Sequence, residues 1–420
     1  MSKKRILWLT NTPALLTEEL MGRPVASESW LAALQELVVE RVPGIELNIA
    51  LFHEGRGIRR VEKDGVIYWL LPRGGKSSRL IRRYLLITHS HSDLKRISSV
   101  IDEVDPALVH VFGTESAFGL VATRCGRPAI VQIQGVVNSL LPVYFGGESV
   151  WCAVNKAGFF DLLMGGVYFR YLLEKKKAER ELEILRNANN VLGNTNFDRE
   201  FSGEVNPARR FFYLPDPMRK PFLRGESNAK KENSRPVIQT IMHEEYYKGL
   251  DLLFRVVARL DERGLDFEWR IAGLNGSEKM VKIFSKLTLG YPKGKVRFMG
   301  RLGGDELARS LGEADLYVHT SYIENPSNAV CEAQCLGVPV IAARVGGTPS
   351  IIEEGVTGLM YERGDVNGLT DLIVKVLQDK ELAVGLAGSG REVAIKRHAS
   401  DAILRELLRV YTEVSGLSFE

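Results

Sequence analysis

The chain has 420 residues, 45% of them hydrophobic and 26% charged, and these ordinary globular values exclude collagen-like, disordered and disulfide-scaffold proteins. The formal net charge of +4 is too small for a chain of this length to indicate a nucleic-acid partner. Four cysteines are too few for a disulfide framework and favour a reducing compartment.

Short apolar runs alternate with helical patterns along the first half of the chain. Strands are predicted there over residues 5–10, 45–51, 66–71, 108–112, 129–134, 190–193 and 210–214. Helices are predicted over 27–40, 79–104 and 116–124, followed by a long helix that ends near Ala188. Such alternation is typical of parallel sheets covered by helices on both faces.

The same alternation continues in the second half, after a polar and charged stretch at 224–235 that is predicted to be a linker or exposed loop. Leucine and valine recur at helical spacing over 250–260 and predict a helix. Strands are predicted over 237–241, 268–272, 296–299, 316–318, 338–342 and 358–361. The fold class is therefore predicted as α/β, with two doubly wound lobes that form a cleft.

Two apolar stretches could lie against a membrane or an apolar ligand, although neither is long enough to span a bilayer. The first, 158–173, is rich in aromatic residues and is followed by Glu174 and three lysines. The second begins at Arg79 and places Arg79, Arg82 and Arg83 on one helical face. Both are also explained as amphipathic helices packed on a core, and the sequence leaves the two interpretations open.

The loop and helix after the strand predicted at 316–318 have the composition of an anion site. Asn325 is predicted to be the helix N-cap and Pro326 its first residue. The free amides and the positive dipole end of such a helix attract phosphate. Glu332, about two turns into the helix, can accept hydrogen bonds from vicinal hydroxyls. Glu324 precedes the helix, where a group attached to the phosphate would lie. This pattern favours a nucleotide-sugar site.

Glu324 and Glu332, separated by seven residues, resemble the Glu-x7-Glu signature of glycosyltransferase family 4. The likeness covers most of the second half. Its further motifs are Tyr247-Lys248-Gly249, Val296-Arg-Phe-Met-Gly300, Asp305-Glu-Leu, Ala333, Gly337, Pro339, Gly346-Gly347, Gly355-x-x-Gly358 and Gly364-Asp365. Members of this family are retaining enzymes with the GT-B fold, in which two Rossmann-like domains face a central cleft.

The resemblance implies a domain organisation and a set of site residues. The expected segments are an acceptor-side domain (1–216), a linker (217–235), a donor-binding domain (236–397) and a C-terminal helix that crosses back to the first domain (398–420). The residues expected to act in catalysis are Glu324, Lys248 and Gln134. Those expected to bind the donor are His243, Lys248, Arg301, Glu324, Asn325, Ser327, Asn328, Ala329, Glu332 and Gly22.

Three positions depart from the family's pattern. His243 stands where arginine is frequent, and histidine lacks the fixed charge and planar fork of arginine. Gln134 stands where a histidine is frequent, and it can bind a sugar hydroxyl but cannot titrate. A Gly-Gly pair that often follows the first strand is reduced to Gly22.

The resemblance implies transfer of a hexose-type sugar, with retention of configuration, from a UDP- or GDP-sugar to a saccharide or lipid-linked acceptor in polysaccharide or glycoconjugate synthesis. A front-face reaction is expected, with Glu324 orienting the sugar. We expect a cytoplasmic protein that could also touch the inner face of the membrane. Two alternatives stay open: a GT-B sugar-nucleotide epimerase or phosphorylase, and a catalytically silent nucleotide-sugar-binding protein.

No permanent cofactor and no metal requirement are expected. The chain has no Asp-x-Asp near a strand end that could hold a divalent cation on a diphosphate. Cys331 and Cys335 lie one helical turn apart with no third ligand nearby, and they are interpreted as buried thiols.

Overall fold

The structure is a computed structural model, and it describes residues 3–11, 29–53, 55, 57–73, 81, 82, 84–149, 166–223, 234–288 and 291–419. The chain divides into two compact units. The first comprises Met1–Leu141, Gly158–Pro217 and His398–Glu420, and the second comprises Pro142–Ala157 and Met218–Arg397.

The first unit is built on an eight-stranded sheet. Its strands are β1 (Lys4–Thr10), β2 (Ile45–His53), β3 (Arg59–Lys63), β4 (Val66–Pro72), β5 (Leu108–Phe112), β6 (Ala129–Gln132), β7 (Asn190–Gly193) and β8 (Arg210–Tyr213). Their order is β3-β4-β2-β1-β5-β6-β7-β8, and β3 alone pairs antiparallel, with β4. The sequence did not predict β3 because this edge strand, RRVEK, has only one apolar residue.

Helices cover both faces of this sheet. Their bounds are Trp30–Arg41, His91–Val104, Ala117–Ala122, Val137–Leu140, Val167–Asn187, Asn196–Val205 and Ser400–Ser415. Alternate residues of β1 enter separate cores: Ile6 and Trp8 lie in one, Leu7 and Leu9 in the other. The C-terminal helix covers the first of these faces, where the Trp8 Nε1–H donates to the Tyr411 hydroxyl at 2.9 Å.

The prediction of one continuous helix over 79–104 is wrong: residues 81, 82 and 84 are helical, but the chain then leaves the helical conformation, and a second helix begins at His91. Ser90 caps it, accepting from the Asp93 amide while the Asp93 carboxylate accepts from the Ser90 amide. Leu86, five residues before the helix, has a φ of +51°, which a right-handed helix does not tolerate. The backbone at Leu86 and the capping box at Ser90 therefore interrupt a segment that the apolar pattern predicted to be one helix.

The second unit has a six-stranded, fully parallel sheet. Its strands are β9 (Val237–Ile241), β10 (Glu268–Ala272), β11 (Val296–Gly300), β12 (Leu316–His319), β13 (Val340–Ala343) and β14 (Leu359–Tyr361). Its helices are Lys220–Leu223, Leu250–Glu262, Lys279–Leu287, Gly304–Gly312, Asn328–Cys335, Val366–Gln378 and Lys380–Arg397. The order β11-β10-β9-β12-β13-β14 is that of a Rossmann sheet. The two sheets confirm the predicted α/β class with two Rossmann-like units.

No helix among the described residues combines the length and the apolar character that are needed to cross a membrane.

Candidate functional site

The topology of the second sheet singles out one place for a ligand. The chain leaves β9 toward β10 on one side of the sheet and leaves β12 toward β13 on the other. In such sheets ligands bind beyond the carboxyl ends of the strands at this switch point. His243 and Lys248 follow β9, and Glu324 follows β12, so the fold brings together residues that lie far apart in the sequence.

The central contact of the site is an ion pair between Lys248 and Glu324. The Lys248 Nζ lies 2.6 Å from the Glu324 Oε2, and both side chains are largely buried. The Nε2 of His319 lies 3.3 Å from the same oxygen. Within the part of the chain that the structure describes, no group donates to the other oxygen, Oε1. The carboxylate therefore has one oxygen held by protein and one available to a ligand.

This pairing fixes the charge of Glu324. Burial alone would raise the pKa of its carboxyl, but Lys248 and His319 outweigh burial and lower the pKa to about 2. Glu324 is therefore ionised throughout the neutral range. Desolvation of the imidazole, followed by the positive charges of Lys248 and Arg301, lowers the pKa of His243. His243 therefore offers hydrogen bonds at neutral pH rather than the fixed charge of an arginine.

Backbone contacts hold the turn that carries Lys248 against the loop that carries Glu324. The Thr320 Oγ1 donates to the Lys248 carbonyl at 2.8 Å, and the Tyr322 amide donates to the Tyr247 carbonyl at 2.7 Å. Gly249 has a φ of +76°, and a Cβ there would lie 2.0 Å from the Thr320 carbonyl oxygen. Only glycine permits this close approach.

A second glycine contact holds Glu324 from the other side. Gly346 has a φ of +49°, and a Cβ there would lie 2.1 Å from the Glu324 carbonyl oxygen. The Gly347 amide donates to the same oxygen at 2.9 Å. The Gly-Gly pair that the sequence placed after β13 thus packs directly on the backbone of Glu324.

The helix after Glu324 begins later than the sequence predicts. Its N-cap is Ser327, whose hydroxyl accepts from the Val330 amide, and its first residue is Asn328. The assignment of Asn325 as N-cap and Pro326 as first residue is wrong, because Ser327 provides the capping side chain. Glu332 consequently lies about one turn into the helix rather than two. The amides of Asn328 and Ala329 have no acceptor among the described residues, as expected at a helix start.

Glu332 has a partner that the sequence analysis missed. The Nε and Nη2 of Arg219 lie 3.1 Å and 2.6 Å from the Glu332 Oε1, and both side chains are buried. Burial raises the pKa of Glu332 even though Arg219 acts to lower it. No described residue donates to its Oε2. Arg219 lies in the segment predicted as a linker, where no local pattern marks it as a partner of Glu332.

The other residues that the sequence predicts to bind the donor differ in how far they are buried. Asn325 and Ser327 are buried, Asn328 and Ala329 are half-buried at the helix start, and Arg301 is exposed just after β11. Gly22 lies outside the described residues.

Gln134 lies in the first unit, half-buried just after β6. The loop that follows it is held by Glu181, a buried residue of the helix Val167–Asn187. The Glu181 carboxylate accepts from the Thr114 hydroxyl at 2.6 Å and from the amides of Val137 and Asn138 at 3.1 and 2.9 Å. Sequence reasoning missed Glu181 because its partners come from separate loops.

Among the described residues, no group of three or more His, Cys, Asp or Glu side chains is arranged to hold a metal ion. Cys331 and Cys335 are buried free thiols, as predicted. Burial raises the pKa of the Cys335 thiol to about 12, so it stays protonated.

Residues 225–393 match the family model described as glycosyl transferases group 1. That segment contains Lys248, Glu324 and Glu332, whereas Arg219 lies shortly before it and Gln134 lies in the other unit.

Two curated relatives match parts of the chain. The N-acetyl-alpha-D-glucosaminyl L-malate synthase of Bacillus anthracis is 33% identical over 29% of this chain and 31% of its own length. A GDP-mannose-dependent alpha-mannosyltransferase of Corynebacterium glutamicum is 34% identical over 29% of this chain and 29% of its own length. The match thus spans a little under a third of the length of each of these two relatives.

Solved structures match almost the entire chain. The sucrose-phosphate synthase from Thermosynechococcus elongatus superposes with a TM-score of 0.73 at 15% identity, covering 99% of this chain and 100% of that one. Anabaena Alr3699/HepE in complex with UDP-glucose superposes with a TM-score of 0.65 at 15% identity, covering 97% and 99%. At this identity the likeness concerns the fold alone, and it confirms the predicted GT-B class.

Proposed function

We propose that this protein is a retaining glycosyltransferase that moves a hexose-type sugar from a UDP- or GDP-sugar to a saccharide or lipid-linked acceptor. The observation that carries the proposal is the ion pair of Lys248 and Glu324 beside the start of the helix Asn328–Cys335. The pair lies in the segment that matches group 1 glycosyl transferases. The resemblance to family 4 supports the retaining outcome.

The donor diphosphate would bind between Lys248 and the start of that helix. The Lys248 ammonium has three N–H donors and uses one on Glu324, which leaves others for phosphate oxygens. The amides of Asn328 and Ala329 point outward at the positive end of the helix dipole. As the bond to the sugar breaks, negative charge grows on the leaving diphosphate. Donors already fixed in place stabilise that charge.

Glu332 would hold the ribose of the donor. Arg219 occupies Oε1, and Oε2 is left to accept hydrogen bonds from the vicinal hydroxyls. A carboxylate with one oxygen restrained presents the other in a defined direction. His243, which follows β9, and Arg301, which follows β11, would add hydrogen bonds to the phosphate side.

Glu324 would orient the sugar rather than attack it. A carboxylate with a pKa of about 2 is a weak base, and its negative charge can stabilise an oxocarbenium-like transition state. The acceptor hydroxyl would then approach from the face that the diphosphate leaves. Trapping a covalent sugar adduct on Glu324 would contradict this front-face reaction.

A thermal-shift panel of UDP, GDP, ADP and dTDP tests the donor class directly. A ligand that binds only the folded protein raises its unfolding temperature. We expect UDP or GDP to do so, and the matching nucleotide sugar to be consumed when saccharide or lipid-linked acceptors are added. The UDP-glucose complex of HepE and the GDP-mannose dependence of the Corynebacterium relative keep both bases in the panel. Tight binding without turnover over a broad acceptor panel would instead favour a silent binding protein.

We also propose that the first unit touches a membrane surface, which would suit a cytoplasmic enzyme with a lipid-linked acceptor. Ile81 and Leu85 expose 57% and 64% of their surface, next to Tyr84, whose ring packs on Phe169. Exposed apolar and aromatic side chains of this kind are typical of interfacial contact. Co-sedimentation with vesicles tests the idea: Leu85→Glu should weaken binding, and Val384→Glu, on a still more exposed valine of the second unit, should not.

A further inference from the structure

His319 is buried beside Glu324 in a way that packing does not require. It is the last residue of β12, and its side chain is 3% exposed. Its Nε2 faces the Glu324 Oε2 at 3.3 Å, whereas its Nδ1 has no partner among the described residues. A buried polar atom left unpaired costs stability, and phenylalanine or leucine would fill the same space without that cost. The contact of Nε2 with the Glu324 carboxylate therefore explains why an imidazole stands at this position.

The contact defines which ring nitrogen carries the proton. The acceptor at Nε2 is an ionised carboxylate oxygen, which can only accept, so Nε2 must be the N–H donor. The backbone of His319 is fixed as well, because its carbonyl accepts from the Tyr361 hydroxyl at 3.1 Å and the strand pairs with β13 at this residue. The Nε2–H therefore points at Oε2 from a rigid element.

The other donor to Oε2 is less constrained. Lys248 reaches the carboxylate through a flexible four-carbon chain, and the proposed reaction also requires its ammonium to meet the donor diphosphate. If the ammonium moves toward phosphate, the hydrogen bond from His319 remains as the restraint on Oε2. That restraint would keep Oε1, the oxygen without a described partner, directed at the sugar.

We propose that His319 is a positioning residue for Glu324, which holds Oε2 so that Oε1 meets the donor sugar in the proposed transfer reaction. His319 itself need not touch the substrate. The inference rests on the proposed function for its consequence in catalysis, but the hydrogen bond can be tested without any substrate.

The first test is nitrogen NMR of the histidine rings in the full-length protein, with His319 identified by the signals that disappear in His319→Phe. We expect an Nε2–H tautomer whose Nε2 resonance shifts in Glu324→Gln. An Nδ1–H tautomer, or ring signals that do not respond to Glu324→Gln, would overturn the inference whether or not the protein transfers sugar.

The second test is steady-state kinetics with the nucleotide sugar that the wild type uses. We expect His319→Phe to lower kcat on the order of 10²-fold, the scale of effect of a misplaced catalytic group, with the affinity for the nucleoside diphosphate changed less than about twofold. His319→Gln keeps an N–H in place and should recover most of kcat. His110→Phe removes another buried imidazole, in the first unit, and is the control: it should change stability but leave kcat unchanged.

The outcomes separate the two proposals. Wild-type kcat in His319→Phe, or equal losses in the Phe and Gln variants, would show a merely structural role and overturn the inference. If the wild type turns over no nucleotide sugar, the proposed function fails, and the NMR result alone decides whether His319 holds Glu324.

Discussion

Arg219 donates from both Nε and Nη2 to a single oxygen of Glu332, the Oε1, at 3.1 and 2.6 Å. Glu324 shows the same arrangement, with Lys248 and His319 both on its Oε2. Each acid thus has one oxygen held by cationic or polar groups and one without a described partner. This shared geometry suggests that both carboxylates are set to accept hydrogen bonds from a ligand in a fixed direction.

Removing Arg219 should weaken nucleotide binding. Arg219→Met leaves Glu332 buried without its cation, which raises the pKa of the carboxyl further and frees its orientation. We expect the Kd of the stabilising nucleoside diphosphate to rise about tenfold or more, measured by calorimetry. Arg344→Met breaks exposed pairs with Glu354 and Glu362 and should leave this Kd unchanged. Equal nucleotide affinities in the two variants would show that Arg219 does not contribute to nucleotide binding.

Removing Lys248 should affect turnover more than folding. Lys248→Met takes away the main charge that keeps the pKa of Glu324 low and the expected phosphate donor. We expect kcat to fall on the order of 10²- to 10³-fold, the scale seen when one transition-state donor is lost. Lys396→Met, on an exposed pair with Glu392, is the matched control and should keep wild-type turnover. A Lys248→Met enzyme with full activity would contradict the assigned role.

Adding a single methyl group at Gly346 should displace Glu324. Gly346→Ala combines a positive φ with a Cβ placed 2.1 Å from the Glu324 carbonyl oxygen. We expect a loss of about 1 to 3 kcal/mol in the free energy of unfolding and a marked fall in kcat. Gly355 has a φ of +76° but no atom within 4 Å of an added Cβ, so Gly355→Ala should lower stability without lowering kcat. Normal kcat in Gly346→Ala would show that this contact does not position Glu324.

The acid sensitivity of the fold should depend on Glu324. Its pKa is about 2 when folded, below the value of 4.5 for an unperturbed glutamate, so the unfolded chain binds the proton more readily. The stability that this carboxylate contributes is present above about pH 4.5 and is lost as the pH falls toward 2. Urea unfolding at pH 6 and pH 3 should show a smaller acid loss in Glu324→Gln than in the wild type. An identical loss would argue against the lowered pKa.

Local sequence patterns predicted most of the fold, and they named the two acids that are central to the candidate site. Buried strands appear as apolar runs, and Glu324, Glu332 and Lys248 lie in motifs with fixed spacing. The edge strand β3 escaped prediction because it is polar, and the break before His91 escaped it because a capping box, not composition, ends the pattern.

The partners of the two acids could not be predicted from sequence. Arg219 meets Glu332 across 113 positions, and the sequence gives no periodicity that relates them. His319 is close to Glu324 in sequence, but only the turn between them shows that its ring points back at the carboxylate. Such contacts depend on where strands end in three dimensions, which the spacing of residues along the chain does not encode.

The central claim is that the Lys248–Glu324 site transfers sugar with retention. Proton NMR of the product formed from the nucleotide sugar that stabilises the protein tests it most directly. We predict a new glycosidic linkage with the anomeric configuration of the donor, and a rate that falls sharply in Lys248→Met. An inverted product, or undiminished transfer by Lys248→Met, would contradict the account.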